Sequence, residues 1–316
     1  MATRWSGHAW TIGAALLGPL REPAPEGEVA WSVDLPDPQL GRVTLRGHLR
    51  PSPRDDLVVI VHGLGGTADS PYVRIAARAA VTRGCATLRL NLRGATGDGE
   101  DVYHAGLASD LAAAIESASL RRYANVYVLG YSLGGHLALR LGLQPPPRVR
   151  AIAAIGAPLD LAASCRVIDR RRAWPYRNWI LRALRDGYGA VHARGRGRAD
   201  LRAVRAVRRL REWDERVVVV RHDFADADDY YARASVGSRL HELAVPSTYV
   251  GCVGDPMVPP AAVEPSLDRP GHEVHVRWLP RGGHVGYPSR AYAGRSVEQV
   301  MLDWFRDPSR PPAPIE

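Results

Sequence analysis

The sequence predicts an α/β domain with a mostly parallel central sheet and helices on both faces. Three observations predict it. Short apolar runs alternate with helix-like runs from Leu57 to the C-terminus, which is the signature of strand–helix–strand units. Several of the apolar runs end directly in turns rich in glycine, aspartate or histidine, and open sheets of this class place their sites at such strand ends. Of the 316 residues, 46% are hydrophobic, ample for one core. A single domain over residues 1–316 with one inserted segment at about 160–236 accounts for the length.

The first two strands are Val29–Leu35 and Val43–Leu49. Both alternate apolar with polar residues, so they read as an antiparallel edge. Leu57–Val61 is wholly apolar and reads as a buried strand. A helix over Tyr72–Arg83 and a strand over Ala86–Leu90 follow, then a helix over Ala105–Ser119. Next come the strand Asn125–Leu129, the helix Leu133–Leu143 and the strand Val149–Ile155. Gln144-Pro145-Pro146-Pro147 is a short stiff connector. After the inserted segment come strands Ser247–Val253 and Glu273–Leu279 and a helix over Ala291–Phe305. Arg310–Pro314 reads as a loose tail. No repeat is visible.

Between Asp160 and about Val236 the strand pattern breaks, apart from one apolar run at Val217–Val220. The segment carries Trp174, Tyr176, Trp179 and Trp213. From Cys165 to Arg216 there are 16 arginines against six acids, an excess of ten positive charges, while the whole chain carries +9. The positive charge is therefore concentrated in the insertion. The chain contains no lysine, so an arginine bias in composition also contributes. A solvated arginine face is one reading; contact with anionic lipid or an anionic substrate is the other. No nucleic-acid-binding motif accompanies the charge, and nucleic acid is not expected as a partner.

The strongest motif is Gly130-Tyr131-Ser132-Leu133-Gly134, placed between a strand and a helix. G-x-S-x-G in that context is a nucleophile elbow. The turn is too sharp for side chains at its flanks, and it lifts the serine hydroxyl clear of the sheet. Downstream, one strand ends in Gly254-Asp255-Pro256 and the next in Arg281-Gly282-Gly283-His284. The order serine, acid, histidine is the one such an elbow requires. In this reading His284 takes the Ser132 proton, and Asp255 fixes the imidazole tautomer. Earlier, the strand Leu57–Val61 runs into His62-Gly63-Leu64-Gly65-Gly66, whose glycines permit close backbone approach to a carbonyl. The expected oxyanion donors are the N–H groups of Leu133 and Leu64.

Other residues compete for roles. Asp160, after the strand ending at Ile155, is the rival acid. His104 follows the wrong strand for a general base and reads as a structural brace. His62 reads as a brace for the oxyanion loop. Tyr131 and the tryptophans of the insertion line an acyl pocket or simply pack.

The chain resembles the YheT-like α/β-hydrolases, a branch of the serine esterases. The resemblance is carried by Val61–Gly66 with Ser70-Pro71-Tyr72-Val73, Asn91-Leu92-Arg93-Gly94, and Tyr103-His104-Ala105-Gly106 leading to Asp110-Leu111. It continues through Gly130–Gly135, Asp229-Tyr230-Tyr231 with Ala234-Ser235, Asp255-Pro256, and Gly283-His284-Val285-Gly286. Gly7-His8-Ala9-Trp10-Thr11-Ile12 resembles the family's N-terminal segment. The resemblance implies the α/β-hydrolase fold with a cap insertion, and puts the catalytic residues on Ser132, Asp255 and His284. It implies a carboxylic ester substrate with an acyl chain, such as a lipid. One departure stands out: the family usually has a second Asp or an Asn before the acid, and this chain has Gly254.

Cys85, Cys165 and Cys252 are odd in number and widely spaced, so neither a disulfide framework nor a metal site is expected, and reduced thiols suit the cytoplasm. The apolar stretch Ala9–Leu20 is too short to span a bilayer. The expected chemistry is ester hydrolysis through an acyl-enzyme on Ser132, without a cofactor. The same apparatus also suits acyl transfer, and a silent binding protein on the same fold is the rival from another class. Expected partners are a small-molecule or lipid ester and, through the arginine-rich insertion, an anionic membrane surface.

Overall fold

The computed structural model describes residues 7–11, 23–288 and 294–313. Eight strands form one sheet: β1 Val29–Asp37, β2 Gly41–Arg50, β3 Asp56–Val61, β4 Ala86–Asn91, β5 Asn125–Tyr131, β6 Val149–Ile155, β7 Ser247–Cys252 and β8 Val274–Leu279. Their order across the sheet is β1-β2-β4-β3-β5-β6-β7-β8. The β1–β2 and β2–β4 pairs are antiparallel. The remaining pairs, from β4–β3 to β7–β8, are parallel. The alternating edge and the uniformly apolar centre of the sequence therefore correspond to the two kinds of pairing.

Strand periodicity builds two cores. On β3, Leu57, Val59 and Val61 enter one apolar cluster, while Val58 and Ile60 enter the other. Successive residues point to opposite faces, so an uninterrupted apolar run is what a strand covered on both faces requires. Helix α1 (Pro71–Thr82) and the C-terminal helix bury Val73, Ala76, Val300 and Met301 on one face. Helices α2 (Ala108–Glu116) and α3 (Leu133–Leu141) pack on the other with Leu111, Ile115, Leu137 and Leu139.

Helix α2 starts three residues later than the sequence suggests, because His104–Leu107 form a turn in which Leu107 N–H donates to the His104 carbonyl. The expected Ala291–Phe305 helix is seen as Val297–Trp304, capped by Ser296 and Gln299; residues 291–293 lie outside the described residues. So do residues 12–20 of the Ala9–Leu20 stretch and Pro314 of the tail.

Between β6 and β7 the chain is helical. It comprises α4 (Leu161–Ile168), α5 (Trp174–Ala193), α6 (Leu201–Ala206), α7 (Leu210–Trp213) and α8 (Ala227–Ala234), ending in a 3₁₀ segment at Gly237–Glu242. The apolar run Val217–Val220 is part of this helical region. A π-helical turn over Asp214–Val219 continues α7 and passes into Val220–His222. Val217 and Val218 are buried in the helical cluster while Val220 is exposed, so packing overrides the β-propensity of valine. After β7 comes α9 (Pro260–Leu267), and after β8 the C-terminal helix is α10 (Val297–Trp304). Among the described residues, no helix is long and apolar enough to cross a membrane.

Candidate active site

The site begins with one strained residue. Ser132 links β5 to α3 with φ +51° and ψ −121°, a region a non-glycine residue occupies only when its surroundings hold it there. Its N–H donates to the Ile155 carbonyl at 2.8 Å, and its carbonyl accepts from His136 N–H at 3.0 Å. Glycines make the turn possible. A Cβ on Gly130 would lie 2.3 Å from the Gly134 carbonyl oxygen, and one on Gly134 would lie 2.4 Å from that of Val61.

Two further strand ends deliver the other groups. Asp255 follows β7, and its Oδ1 accepts the N–H groups of Met257 and Val258 at 2.8 and 2.9 Å. That leaves Oδ2 facing His284 Nδ1 at 2.8 Å. His284 Nε2 lies 2.9 Å from Ser132 Oγ. With the carboxylate accepting from Nδ1–H, Nε2 is free to accept the serine proton. Asp255 and His284 are both buried. Asp160, the rival acid, instead caps α4, accepting Ala163 N–H at 2.9 Å.

A residue that the sequence reading did not single out completes the support of His284. Its N–H donates to Thr11 Oγ1 at 2.8 Å, and Thr11 Oγ1 donates to the Gly7 carbonyl at 2.8 Å. The helical turn at residues 7–11 thus sits against the histidine loop. A Cβ on Gly7 would lie 1.9 Å from the Gly254 carbonyl oxygen, and one on Gly283 would lie 2.3 Å from Thr11 Oγ1. The only signal for this contact was the resemblance of Gly7–Ile12 to the family's N-terminal segment. Val285, next to His284, has φ +49°.

The loop after β3 isolates one amide. Gly63 N–H donates to Tyr72 Oη at 3.1 Å, Gly65 N–H to Tyr103 Oη at 2.7 Å, and Gly66 N–H to the Gly63 carbonyl at 3.0 Å. Among the described residues, Leu64 N–H has no hydrogen-bond partner, nor has Leu133 N–H, which opens α3. Orphan amides in the first turn of a helix are normal. Leu64, Leu133, Ser132 and His284 all line one cavity. His62 braces the loop: its Nε2 accepts Leu92 N–H at 3.1 Å, so Nδ1 carries the proton toward the Gly63 carbonyl at 2.8 Å. Complete burial pushes its pKa down to about 4, which keeps the ring neutral.

His104 packs among His222, Phe224 and Tyr230, and its Nδ1 accepts Gly106 N–H. Burial holds its pKa well below the ordinary histidine value. Tyr131 lies behind the site: its ring packs tilted against Tyr72 and its hydroxyl donates to Glu298 Oε1 at 3.0 Å.

The cavity measures about 540 Å³, and its walls are chiefly apolar. The helical segment between β6 and β7 supplies Leu161, Ile168, Ile180, Trp179 and Trp213 to it. Trp179 is 52% exposed, and Trp174, at the start of the same helix, is 57% exposed. Arg170, Arg171 and Arg172 are also exposed just before α5. Among the described residues, no three His, Cys, Asp or Glu side chains converge as metal ligands would.

The site's geometry can be set beside known proteins. A model of the alpha/beta hydrolase fold matches residues 56–287. A protein of Escherichia coli (strain K12) named "Putative esterase YheT" is 28% identical over 262 residues, which cover 78% of this chain and 76% of that protein. The mouse Phospholipase ABHD3 is 24% identical over 239 residues, 73% of this chain but 58% of that protein, so this chain spans less than two thirds of its length. Among solved structures, alpha/beta hydrolase domain-containing protein 10 from mouse aligns with a TM-score of 0.57 at 13% identity, over 88% of this chain and 97% of that one. That last likeness is one of fold. The YheT-like resemblance read from the motifs therefore extends over more than three quarters of the chain.

Proposed function

This chain belongs to the α/β-hydrolase fold family, and we propose that it is a serine-dependent hydrolase of carboxylic esters with acyl or lipid-like chains. The observation that carries the reading is the unbroken relay from Asp255 Oδ2 through His284 to Ser132 Oγ, at 2.8 and 2.9 Å. Ser132 attacks the ester carbonyl as His284 Nε2 accepts its proton. Asp255 stabilises the imidazolium that forms and remains ionised. The tetrahedral oxyanion receives the N–H groups of Leu64 and Leu133, each contributing on the order of 3 kcal/mol of transition-state stabilisation. His284 then returns the proton to the leaving alcohol. Water, activated by the same nitrogen, attacks the acyl-enzyme and releases the acid.

The esterase and phospholipase names of the relatives support an ester substrate, and the apolar cavity supports an acyl chain. In this reading the helical segment after β6 serves as a cap. Its exposed Trp174, Trp179 and Arg170–Arg172 suit an anionic lipid surface, where aromatic rings and cationic groups both gain. The cysteines, all unpaired, suit a reducing compartment such as the cytoplasm. Labelling with a fluorophosphonate, followed by turnover of esters of graded chain length, tests the reading. A wild-type chain that neither labels at Ser132 nor turns over any ester overturns it.

A further inference from the structure

The turn that carries the Leu64 amide is fixed by side chains outside it rather than by its own residues. Gly66 N–H donates to the Gly63 carbonyl at 3.0 Å, and Gly65 has φ +74°. That combination is a type II turn with Leu64 and Gly65 at its centre. The nucleophile requires the first glycine, since a Cβ on Gly63 would lie 2.9 Å from Ser132 Cβ. A loop so rich in glycine has wide backbone freedom. Gly65 also tolerates the negative φ of a type I turn. The loop's own sequence therefore does not fix which way its amides point.

Three aromatic side chains do. His62 Nδ1–H, at 2.8 Å, and the Gly66 N–H both hold the Gly63 carbonyl. A trans peptide unit is planar, so the Leu64 N–H in that unit points the opposite way. Tyr72 pins the unit before it, its Oη accepting the Gly63 N–H at 3.1 Å. Tyr103 pins the unit after it, its Oη accepting the Gly65 N–H at 2.7 Å. Neither central amide of a type II turn has a partner inside the turn; Tyr103 engages that of Gly65, and the Leu64 N–H stays open. The phenols are themselves anchored. Tyr103 is buried and meets the His62 ring edge-on at 5.9 Å, and Tyr72 packs against Tyr131, the neighbour of Ser132, at 4.8 Å. Tyr72, Tyr103, Leu64 and Ser132 all line the one cavity.

We propose that Tyr72 and Tyr103 are positioning residues that aim the Leu64 N–H at the oxyanion, an inference that rests on the ester-hydrolase reading. Each acts through a peptide unit flanking Leu64. Removing either hydroxyl leaves a glycine N–H without its acceptor and frees the flanking unit to rotate. The Leu64 N–H then loses its aim. Deleting an oxyanion donor costs about 10² to 10³ in kcat, and small displacements of a preorganised group forfeit much of its effect. Ground-state binding of the acyl chain involves neither hydroxyl and stays as it was.

Tyr72→Phe and Tyr103→Phe remove the hydroxyls and keep the rings. Each is expected to lower kcat for a p-nitrophenyl acyl ester by about tenfold or more. An acyl trifluoromethyl ketone adds Ser132 Oγ to its carbonyl and places an oxyanion in the same hole, so its inhibition constant should rise by the same factor. The dissociation constant of the matching acyl amide, measured by calorimetry with Ser132→Ala added to each chain, should not change. Leu64→Pro supplies the cycle: proline suits the second position of a type II turn and deletes only the N–H in question from the backbone. In that background either Tyr→Phe change should add less than about twofold, because the group it acts through is gone. Unchanged kcat and ketone inhibition in both Phe variants overturn the proposal. So does a full Tyr→Phe effect that persists beside Leu64→Pro, or a weakening of amide binding equal to that of the ketone, which would make the phenols mere cavity wall. If Tyr103→Phe does not fold, Tyr72→Phe, whose ring is only half-buried, decides. A wild-type chain that neither turns over esters nor is inhibited by the ketone overturns the hydrolase reading itself, a result distinct from an active wild type indifferent to both substitutions.

Discussion

Thr11 Oγ1 accepts the backbone N–H of His284 at 2.8 Å, across 273 residues of sequence. The contact ties the N-terminal turn to the imidazole that bridges Ser132 and Asp255. Thr11→Val keeps the shape of the side chain but leaves that N–H buried without an acceptor. The expected result is a stability loss of roughly 1–3 kcal/mol and a fall in kcat larger than any change in KM, because His284 loses its anchor. Thr11→Ser restores the acceptor and should recover most of the activity. Denaturant melts and steady-state kinetics on the three chains check this; equal losses in Val and Ser variants would assign Thr11 to packing alone.

Ser132→Ala should abolish ester turnover and fluorophosphonate labelling while the fold persists, since the hydroxyl contributes little packing. The backbone supplies a second expectation. At φ +51° an alanine retains the strain that the serine bears, whereas glycine does not. Ser132→Gly should therefore be more stable than Ser132→Ala, by on the order of 1 kcal/mol. Comparing the two inactive variants by calorimetry reads this directly.

Replacing the two candidate acids separates their tasks. Asp255→Asn disturbs the acceptor of His284 Nδ1–H and favours the wrong tautomer, a change worth up to about 10⁴ in kcat in the best-studied serine protease. Asp160→Asn should cost little, because asparagine caps a helix as well as aspartate. Asp160→Ala should lose about 1 kcal/mol of stability with turnover nearly unchanged. One assay on all three variants ranks them, and a larger kinetic loss at Asp160 would reverse the assignment.

The sheet was legible because its strands are buried on both faces and so read as unbroken apolar runs, while β1 and β2 keep the alternation of an edge. Ser132, Asp255 and His284 could be selected because each stands at the end of such a run, and the fold needs only strand order to bring those ends together. Thr11 was not selected: its contact depends on tertiary packing that no local pattern encodes. The burial of Asp214 was not legible for a different reason. An aspartate among arginines on a helical segment reads as surface charge, and only the π-helical turn and the packing of Tyr231 put it inside. Val217–Val220 looks like a strand because valine favours strands, yet helical neighbours bury half of it.

Acid should destabilise the fold between about pH 6.5 and 4. His62 is completely buried, and its pKa is lowered to about 4 by that burial. His136 is likewise held at about 4, although the Pro158 and Ala234 carbonyls at 2.8 Å favour its protonated form. His104 lies well below the ordinary value. In each case the unfolded chain takes up the proton first, so stability is intact above pH 6.5 and drains away as pH falls toward 4. For His62 and His136, held at about 4, this corresponds to roughly 3 kcal/mol each. Asp214 acts in the opposite sense. Burial raises its folded pKa to about 7, above the unfolded value, so protonation between pH 7 and 4 stabilises the fold. The histidines outnumber it, and Asp214→Asn should steepen the acid-side fall. Thermal melts from pH 7.5 to 4 on both chains test this; a flat wild-type profile would refute it.

The exposed arginines give the last expectation. Arg170, Arg171 and Arg172 precede α5, and Trp174 and Trp179 project from its first turns. Trp179 also lines the cavity that holds Ser132, so this patch lies beside the route by which a lipid ester would enter. Arginine attraction to an anionic surface is screened over a Debye length of about 8 Å at physiological ionic strength, and each basic residue near such a surface contributes on the order of 1 kcal/mol. Replacing all three with glutamine should therefore weaken binding to anionic vesicles by about a hundredfold at low salt. The difference should shrink as salt rises. Hydrolysis of a small soluble ester should be nearly unchanged, because the substitutions lie outside the cavity lining. Vesicle co-sedimentation beside the soluble-ester assay checks both halves. Indifference of the wild-type chain to anionic vesicles at low salt would leave these arginines as a solvated face and remove the membrane from the proposal.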